Sequence, residues 1–267
     1  MGPFIRLAFG LCGPRRPVLG REYAGRVLAP GDGVSRFQVG DAVFGITDGM
    51  ALGAHAELVT VKADGLILLR PESLSAAEAA AFFFGGLAAA DFLLDQCALK
   101  ERERLLVVGA TGAVGSAAVQ IARAKGAHVT ALASAPHLAL ARELGAHEAL
   151  EYRFGPGTGQ FDVILEVPGP LPSGALDRLA PGGRLGLLTP SLLQVMGASL
   201  LPWRTQGRRI CARIIKETRH AMTRLIDIHV AGGYRPLLGE VFNLKEIDRA
   251  HAAAGSGQKR GNLVIEM

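Results

Sequence analysis

The chain has 267 residues, 49% hydrophobic, 20% charged and 6% aromatic, with 35 Gly and 14 Pro. This balance excludes the low-hydrophobicity, high-charge signature of disorder, and the length suits one large or two small domains at roughly 100–200 residues each. Against 24 Asp and Glu stand 29 Lys and Arg, a net charge of +5, but the densest basic stretch, Arg204 to Arg224, interleaves its cations with apolar residues and Glu217, which describes a solvated or subunit-contact face rather than a nucleic-acid stripe.

The segment before Val18 shows neither strand alternation nor a helical period, and its short apolar run followed by Arg15-Arg16-Pro17 is a poor signal peptide. From Val18 to about Leu69, short β segments are punctuated by glycine: REYAGRVLA, a turn at Pro30-Gly31-Asp32-Gly33, FQVGDAVFGI, HAELVTV and GLILL. That spacing predicts a compact, mostly antiparallel β unit. Ser75-Ala76-Ala77-Glu78 reads as a capping box, opening a long Ala-rich helix expected to break at Gly85-Gly86 and resume to about Gln96.

From Arg104 the rhythm becomes strand and helix in alternation. LLVVGA is a branched run suited to a strand buried on both faces, and Ala113 to Lys125 is a helix that Gly126 can end. HVTALA, a helix over Pro136 to Leu144, then FDVILEV, RLGLLTP and RRICARI as strands complete a pattern that predicts a doubly wound parallel sheet. After Gly232-Gly233 the chain returns to short β and helical pieces ending in NLVIEM. Leu185 to Trp203 is broken by Gly186, Pro190, Gly197 and Pro202 where a spanning helix needs about 20 mostly apolar residues, so no membrane span and a cytoplasmic location are expected. Cys12, Cys97 and Cys211 lie too far apart in the chain for a metal knuckle, a redox motif or a readable disulfide framework, and are expected to be inert thiols.

The stretch that carries chemistry is Leu105 to Ser116. Ala110-x-Gly112-x-x-Gly115 follows a strand and opens an amphipathic helix, the context in which a glycine pattern reads as a dinucleotide fingerprint. Gly112 lets backbone approach a pyrophosphate, Gly115 lets helix pack on strand, and the helix start turns N–H groups toward anionic oxygens. Ala110, Thr111, Gly112, Ala113, Val114 and Gly115 are therefore the expected cofactor-binding turn. At the end of the second strand, where an NAD site places an acid, stand Ala133-Ser134. Ser134 can donate to a 2′-phosphate that a carboxylate would repel, with His137 and Arg142 as nearby positive partners, so NADPH is expected over NADH. The competing role for Ser134 is to cap the helix beginning at Pro136.

These residues, with Leu19-Gly20-Arg21-Glu22-Tyr23-Ala24-Gly25, Phe37-x-x-Gly40-Asp41-x-Val43-Phe44-Gly45, Gly53-Ala54-His55-Ala56-Glu57, Glu143-Leu144-Gly145-Ala146, Phe161-Asp162-Val163, Pro181-Gly182-Gly183-Arg184 and Gly261-x-x-Val264, run in family order over nearly the whole chain. The sequence resembles the medium-chain dehydrogenase/reductase superfamily, in its zinc-independent quinone oxidoreductase branch near the reticulon-4-interacting protein subgroup. The resemblance implies an α/β protein: a Rossmann domain over residues 91–234, and a GroES-like catalytic domain over 1–90 and 235–267, with the cofactor between them. It implies NADPH-dependent reduction of quinones or activated carbonyl and enone compounds, and a homodimer. By position, Ser134, His137 and Tyr152 would surround the adenosine phosphate, and Val167, Leu188 and Thr189 would lie by the nicotinamide.

Two departures qualify the resemblance. Zinc alcohol dehydrogenases place a ligand histidine where this chain has Arg21, and a guanidinium has no lone pair to offer a metal, so no metal site is expected. The family carries several strands before the Leu-Gly-x-Glu motif, and the GroES-like domain is expected to be incomplete for want of them. Tyr23 is the nearest candidate proton donor, against a structural role for its ring. His55, His128, His147, His220, His229 and His251 show no ligand spacing and are expected to be structural. The rival functions are an enoyl thioester reductase and a non-catalytic NADPH-binding or scaffold protein.

Overall fold

The computed structural model describes residues 17–49, 52–167, 169, 171–188, 207–257 and 259–267. They divide into two compact units, one of Met1–Phe83, Glu240–Gln258 and Leu263–Met267, the other of Phe84–Gly239 and Lys259–Asn262.

In the first unit, β1 (Glu22–Arg26), β2 (Ala42–Ile46) and β3 (Ile67–Leu69) form an antiparallel sheet in that order. Tyr23, Phe37, Val43, Ala54 and Ile67 close its core. Behind the sheet, the buried Phe44 ring stacks on Phe83 at 4.6 Å and meets Phe82 edge-on at 5.6 Å, a cluster whose truncation to alanine at any one ring costs about 3–5 kcal/mol. Glu22 is a structural acid, accepting the Phe83 amide at 2.8 Å, and Asp41 accepts the Gln38 amide in the turn before β2. The segment HAELVTV is not a strand, contrary to its alternation. The amides of Gly53 and His55 donate to Leu19 and that of Ala54 to Gly20, and Val59 and Val61 then pack on the core from a loop.

The helical stretch opens at the Ser75–Glu78 capping box, with α1 (Ala76–Ala80) and α2 (Phe83–Ala90), and continues into a π-helical turn, Asp91–Gln96. The break falls at Ala81-Phe82, and Gly85-Gly86 lie inside α2, which corrects the expected position. A Cβ on Gly85 would stand 2.4 Å from the Ala113 carbonyl oxygen, so this glycine provides a close helix approach and not a stop.

The second unit carries a six-stranded sheet of β4 (Arg104–Val108), β5 (His128–Ala133), β6 (Glu148–Glu151), β7 (Phe161–Glu166), β8 (Leu179–Leu187) and β9 (Arg209–Cys211). Its order is β6-β5-β4-β7-β8-β9, with every pairing parallel. The order reverses at β4, which puts a crevice outside the carboxyl ends of β4 and its neighbours. Leu105 to Val108 are fully buried, each contributing about 1.5–3 kcal/mol of burial. Helices α3 (Ala113–Ala124), α4 (Leu138–Glu143) and α5 (Arg219–Val230) serve this unit. The strand expected over RRICARI ends at Cys211, and β6, which has too few apolar residues to announce itself, completes the edge. Later in the chain, α6 (Ile247–Gly255) separates the paired strands β10 (Leu238–Asn243) and β11 (Asn262–Glu266). Among the described residues no helix is long and apolar enough to cross a membrane.

Candidate functional site

The site is built at the carboxyl end of the parallel sheet. β4 delivers the chain to Gly109, whose φ of +84° turns it back, and the amides of Gly109 and Ala110 both donate to the Leu132 carbonyl on β5 at 3.1 Å. Gly112 stands at the N-cap of α3 and has no side chain with which to satisfy the helix start. Ser116 makes the bond back to the Gly112 carbonyl, and the amides of the turn before it have no intrahelical acceptor. A Cβ on Gly115 would lie 2.0 Å from the Gly109 oxygen, so any side chain there separates helix from turn, whereas one on Gly112 would meet nothing nearer than 3.6 Å. This open cradle over a twelve-residue helix start fits a dinucleotide pyrophosphate.

The predicted turn residues come together here, with Ala110, Thr111, Ala113 and Val114 buried. Ser134 follows β5 and adopts N-cap geometry, yet its hydroxyl makes no capping bond and lies 3.0 Å from His137 Nδ1. An imidazole with its hydrogen on Nδ1 donates to Oγ and leaves the hydroxyl hydrogen available to an incoming phosphate oxygen. Arg142 instead turns to the Ala149 carbonyl of β6. Tyr152 follows β6. Burial holds its phenol above its usual pKa, partly offset by the nearby Gly109 amide. Tyr152 also lines an open depression of about 320 Å³ with Arg153, Phe154 and Arg178, but Arg153 pairs with Glu151 and Arg178 donates to Thr158.

Val167 and Leu188 follow the ends of β7 and β8, where the Leu188 amide donates to the Glu166 carbonyl at 3.1 Å. Thr189 lies outside the described residues. Sequence reasoning passed over Glu166, which is fully buried and paired in register with Val108. One carboxyl oxygen accepts the Gly169 amide, the other finds no partner among the described residues, and burial raises its pKa. The available signal was an acid closing the apolar run Val163-Ile164-Leu165 of β7. The C-terminal strap, whose Lys259-Arg260 pair reads from sequence either as a cofactor-phosphate contact or as exposed loop charge, joins the turn: the Gly261 amide donates to the Thr111 carbonyl at 2.8 Å, Gly112 and Gly261 form a parallel bridge, and Lys259 Nζ reaches the Gly261 carbonyl. Burial lowers the Lys259 pKa. The strap thus sets an amine two residues from the glycine that touches the turn.

In the other unit, Tyr23 is a core ring. Its hydroxyl lies against Gly45 without a partner among the described residues, and burial, then Asp48, raise its pKa. His55 and His251 face one another with ring centroids 5.7 Å apart. Burial, then His251, lower the His55 pKa. Arg21 has no lone pair to offer a metal, and among the described residues no group of three or more His, Cys, Asp or Glu is placed to hold one.

Comparison with known proteins agrees with this architecture. Residues 7–71 match the alcohol dehydrogenase GroES-like domain and residues 144–265 match the zinc-binding dehydrogenase family. The chain is 28% identical to the mitochondrial NAD(P)H oxidoreductase RTN4IP1 of Danio rerio, over 94% of this chain and 72% of the relative. It is 26% identical to the chloroplast envelope quinone oxidoreductase homolog of Arabidopsis thaliana, over 94% of this chain and 82% of the relative. Among solved structures, the quinone oxidoreductase of Coxiella burnetii superposes with a TM-score of 0.83 at 25% identity, covering 95% of this chain and 80% of that one.

Proposed function

This chain belongs to the medium-chain dehydrogenase/reductase superfamily as an NAD(P)H oxidoreductase, and from that premise we propose that it reduces quinones or activated carbonyl and enone compounds, with NADPH as the preferred donor. The observation that carries the reading is the glycine turn joined to the Ser134–His137 pair on the next strand. When bound, the nicotinamide supplies a hydride to the acceptor. The chain's own part is to bind and orient. The turn Ala110 to Gly115 receives the pyrophosphate on backbone amides, with the Lys259 amine nearby. Ser134 and His137 take the 2′-phosphate as hydroxyl donor and cation, and Tyr152 flanks the adenosine side. Val167 and Leu188 line the nicotinamide end, with Glu166 fixing the backbone between them through its carbonyl. A reduced quinone oxygen takes its proton from water, so the reaction needs no dedicated side-chain acid.

Support comes from the names of the relatives, which are NAD(P)H and quinone oxidoreductases. The test is a titration with NADPH and NADH followed by turnover on a panel of quinones, enones and enoyl thioesters. NADPH is expected to bind at least tenfold tighter, and Ser134→Asp to reverse the order. Equal affinities would overturn the role given to Ser134, turnover confined to the thioesters would establish the enoyl reductase, and tight binding without turnover the non-catalytic protein. The same reading includes a homodimer, which sedimentation of the 28.0 kDa chain tests directly.

A further inference from the structure

Two cysteines that the chain separates widely are neighbours in the parallel-sheet unit. Cys97 caps the π-helical turn Asp91–Gln96, and Cys211 ends β9. Cys211 stands opposite Gly186 of β8 in a parallel register, so its side chain projects on the face where a Gly186 side chain would. That place is already covered by Cys97, whose sulfur would lie 3.4 Å from a Cβ on Gly186. The absence of a side chain at Gly186 leaves the two thiols room on one face of the sheet, where each acts on the other's ionisation.

The backbone around them is clamped. Gln96 Oε1 accepts the Arg213 amide at 2.9 Å, its Nε2 donates to the Arg213 carbonyl at 3.1 Å and to Asp91, and the Cys211 thiol donates to the Gln96 carbonyl at 3.2 Å. Arg209, Arg184 and Arg213 act on Cys211, with Arg184 itself paired to Glu103 and the Asp91 carboxylate held on Gln96. The hydrogen bond from Cys97, with those cations, lowers the Cys211 thiol to about 7, and the same bond, with burial, holds Cys97 protonated. A thiol that ionises near neutral pH among cations, beside one held protonated, is the arrangement of an attacking and a resolving cysteine. Cys211 keeps 8% of its surface open while Cys97 keeps none. That limits the oxidant to something little larger than water.

We propose that Cys97 and Cys211 are a redox pair in which hydrogen peroxide oxidises Cys211 and Cys97 then closes a reversible disulfide. The Cys211 thiolate attacks one peroxide oxygen, the O–O bond breaks, and Cys211 becomes a sulfenic acid as hydroxide leaves. The Cys97 thiol attacks the sulfenic sulfur, the S–O bond breaks, and a second hydroxide departs with the Cys97 proton as water. The proton lost when Cys211 ionised neutralises the first hydroxide. Two thiols thus lose two electrons and peroxide becomes two waters. An added dithiol restores the pair by exchange.

The test uses the full chain carrying Cys12→Ser, so that the pair is the sole source of thiols. After a pulse of hydrogen peroxide, free thiols are alkylated in denaturant and the peptides are mapped by mass. The expected result is loss of both alkylation sites, recovery of one cross-linked peptide pair containing Cys97 and Cys211, and its disappearance with dithiothreitol. The rate is expected to rise as pH is raised across about 7. Cys97→Ser should stop at a sulfenic acid on Cys211, trapped by dimedone, and Cys211→Ser should leave Cys97 unreacted. Both thiols remaining fully alkylatable in folded protein, under peroxide that converts free cysteine in the same tube, would overturn the proposal. So would an intermolecular cross-link in place of the internal one. Because the peroxide pulse acts on the intact pair, its outcome decides the proposal even where a serine variant fails to fold.

Discussion

The two units use glycine for different physical ends. In the parallel-sheet unit Gly115 is helical, and its lack of a side chain lets α3 approach to where a Cβ would meet the Gly109 carbonyl oxygen at 2.0 Å. In the antiparallel unit Gly40 has a φ of +93° and nothing within 4 Å of where a Cβ would stand. The first glycine answers a demand for contact, the second a demand on chain direction. A contact demand is exacting because the packed neighbours cannot move. A direction demand costs only a local backbone preference.

This contrast can be broken by substitution. Gly115→Val is expected to abolish dinucleotide binding, a loss of 100-fold or more in a fluorescence titration, because backbone cannot yield as a flexible side chain can. Gly40→Ala should cost about 1–2 kcal/mol of stability, the penalty for a left-handed residue with a side chain, and leave cofactor affinity unchanged. Equal effects of the two on affinity would remove the distinction.

Ion pairs sharpen the same comparison at a smaller scale. In the parallel-sheet unit Arg184 grips Glu103 through both guanidinium nitrogens, one of them at 3.0 Å, with side chains only 11% and 17% exposed. Truncating Arg184 to Ala leaves a mostly buried carboxylate without its cation and should cost about 3 kcal/mol in denaturant unfolding. In the antiparallel unit Lys62 and Asp48 lie 4.0 Å apart with exposures of 77% and 45%, and Lys62→Ala should change stability by less than about 0.5 kcal/mol.

The smallest expected effect separates the units by pH. The folded pKa of His55 lies below the 6.5 of an unperturbed histidine, so its contribution to stability is present above that value and lost as pH falls through the folded pKa. The folded pKa of Glu166 lies above 4.5. Its contribution is present below 4.5 and lost as pH rises through the folded pKa. Thermal midpoints measured from about pH 4 to pH 8 should therefore show Glu166→Gln more stable than the parent at the alkaline end and equal to it at the acid end. His55→Phe should flatten the decline toward acid. Opposite slopes would contradict the burial assigned to either group.

Much of this was legible before any fold was known. The binding turn could be read because its requirements are local: a buried strand, glycines at fixed offsets and a helix start occupy one continuous stretch, Leu105 to Ser116. The capping box at Ser75 and Glu78 is local for the same reason, since both hydrogen bonds span three residues. Alternation misled at HAELVTV because apolar residues pack against a core from a loop as well as from a strand. It also missed β6, a four-residue edge strand stabilised by its partner β5 more than by its own side chains. Glycine misled at Gly85-Gly86, where the sequence alone cannot tell a helix stop from a helix contact.

By itself, then, the sequence determined the fold class and the glycine turn between a buried strand and a helix start, because each depends on periodicity or short spacing along one chain segment. Only the tertiary structure decided which distant residues became neighbours. It placed Gly261 on Thr111, buried Glu166 beside Val108, set His55 against His251, and brought Cys97 to Cys211 across the bare Gly186. Those pairings depend on strand register and on where a side chain is missing, and spacing along the sequence carries neither quantity.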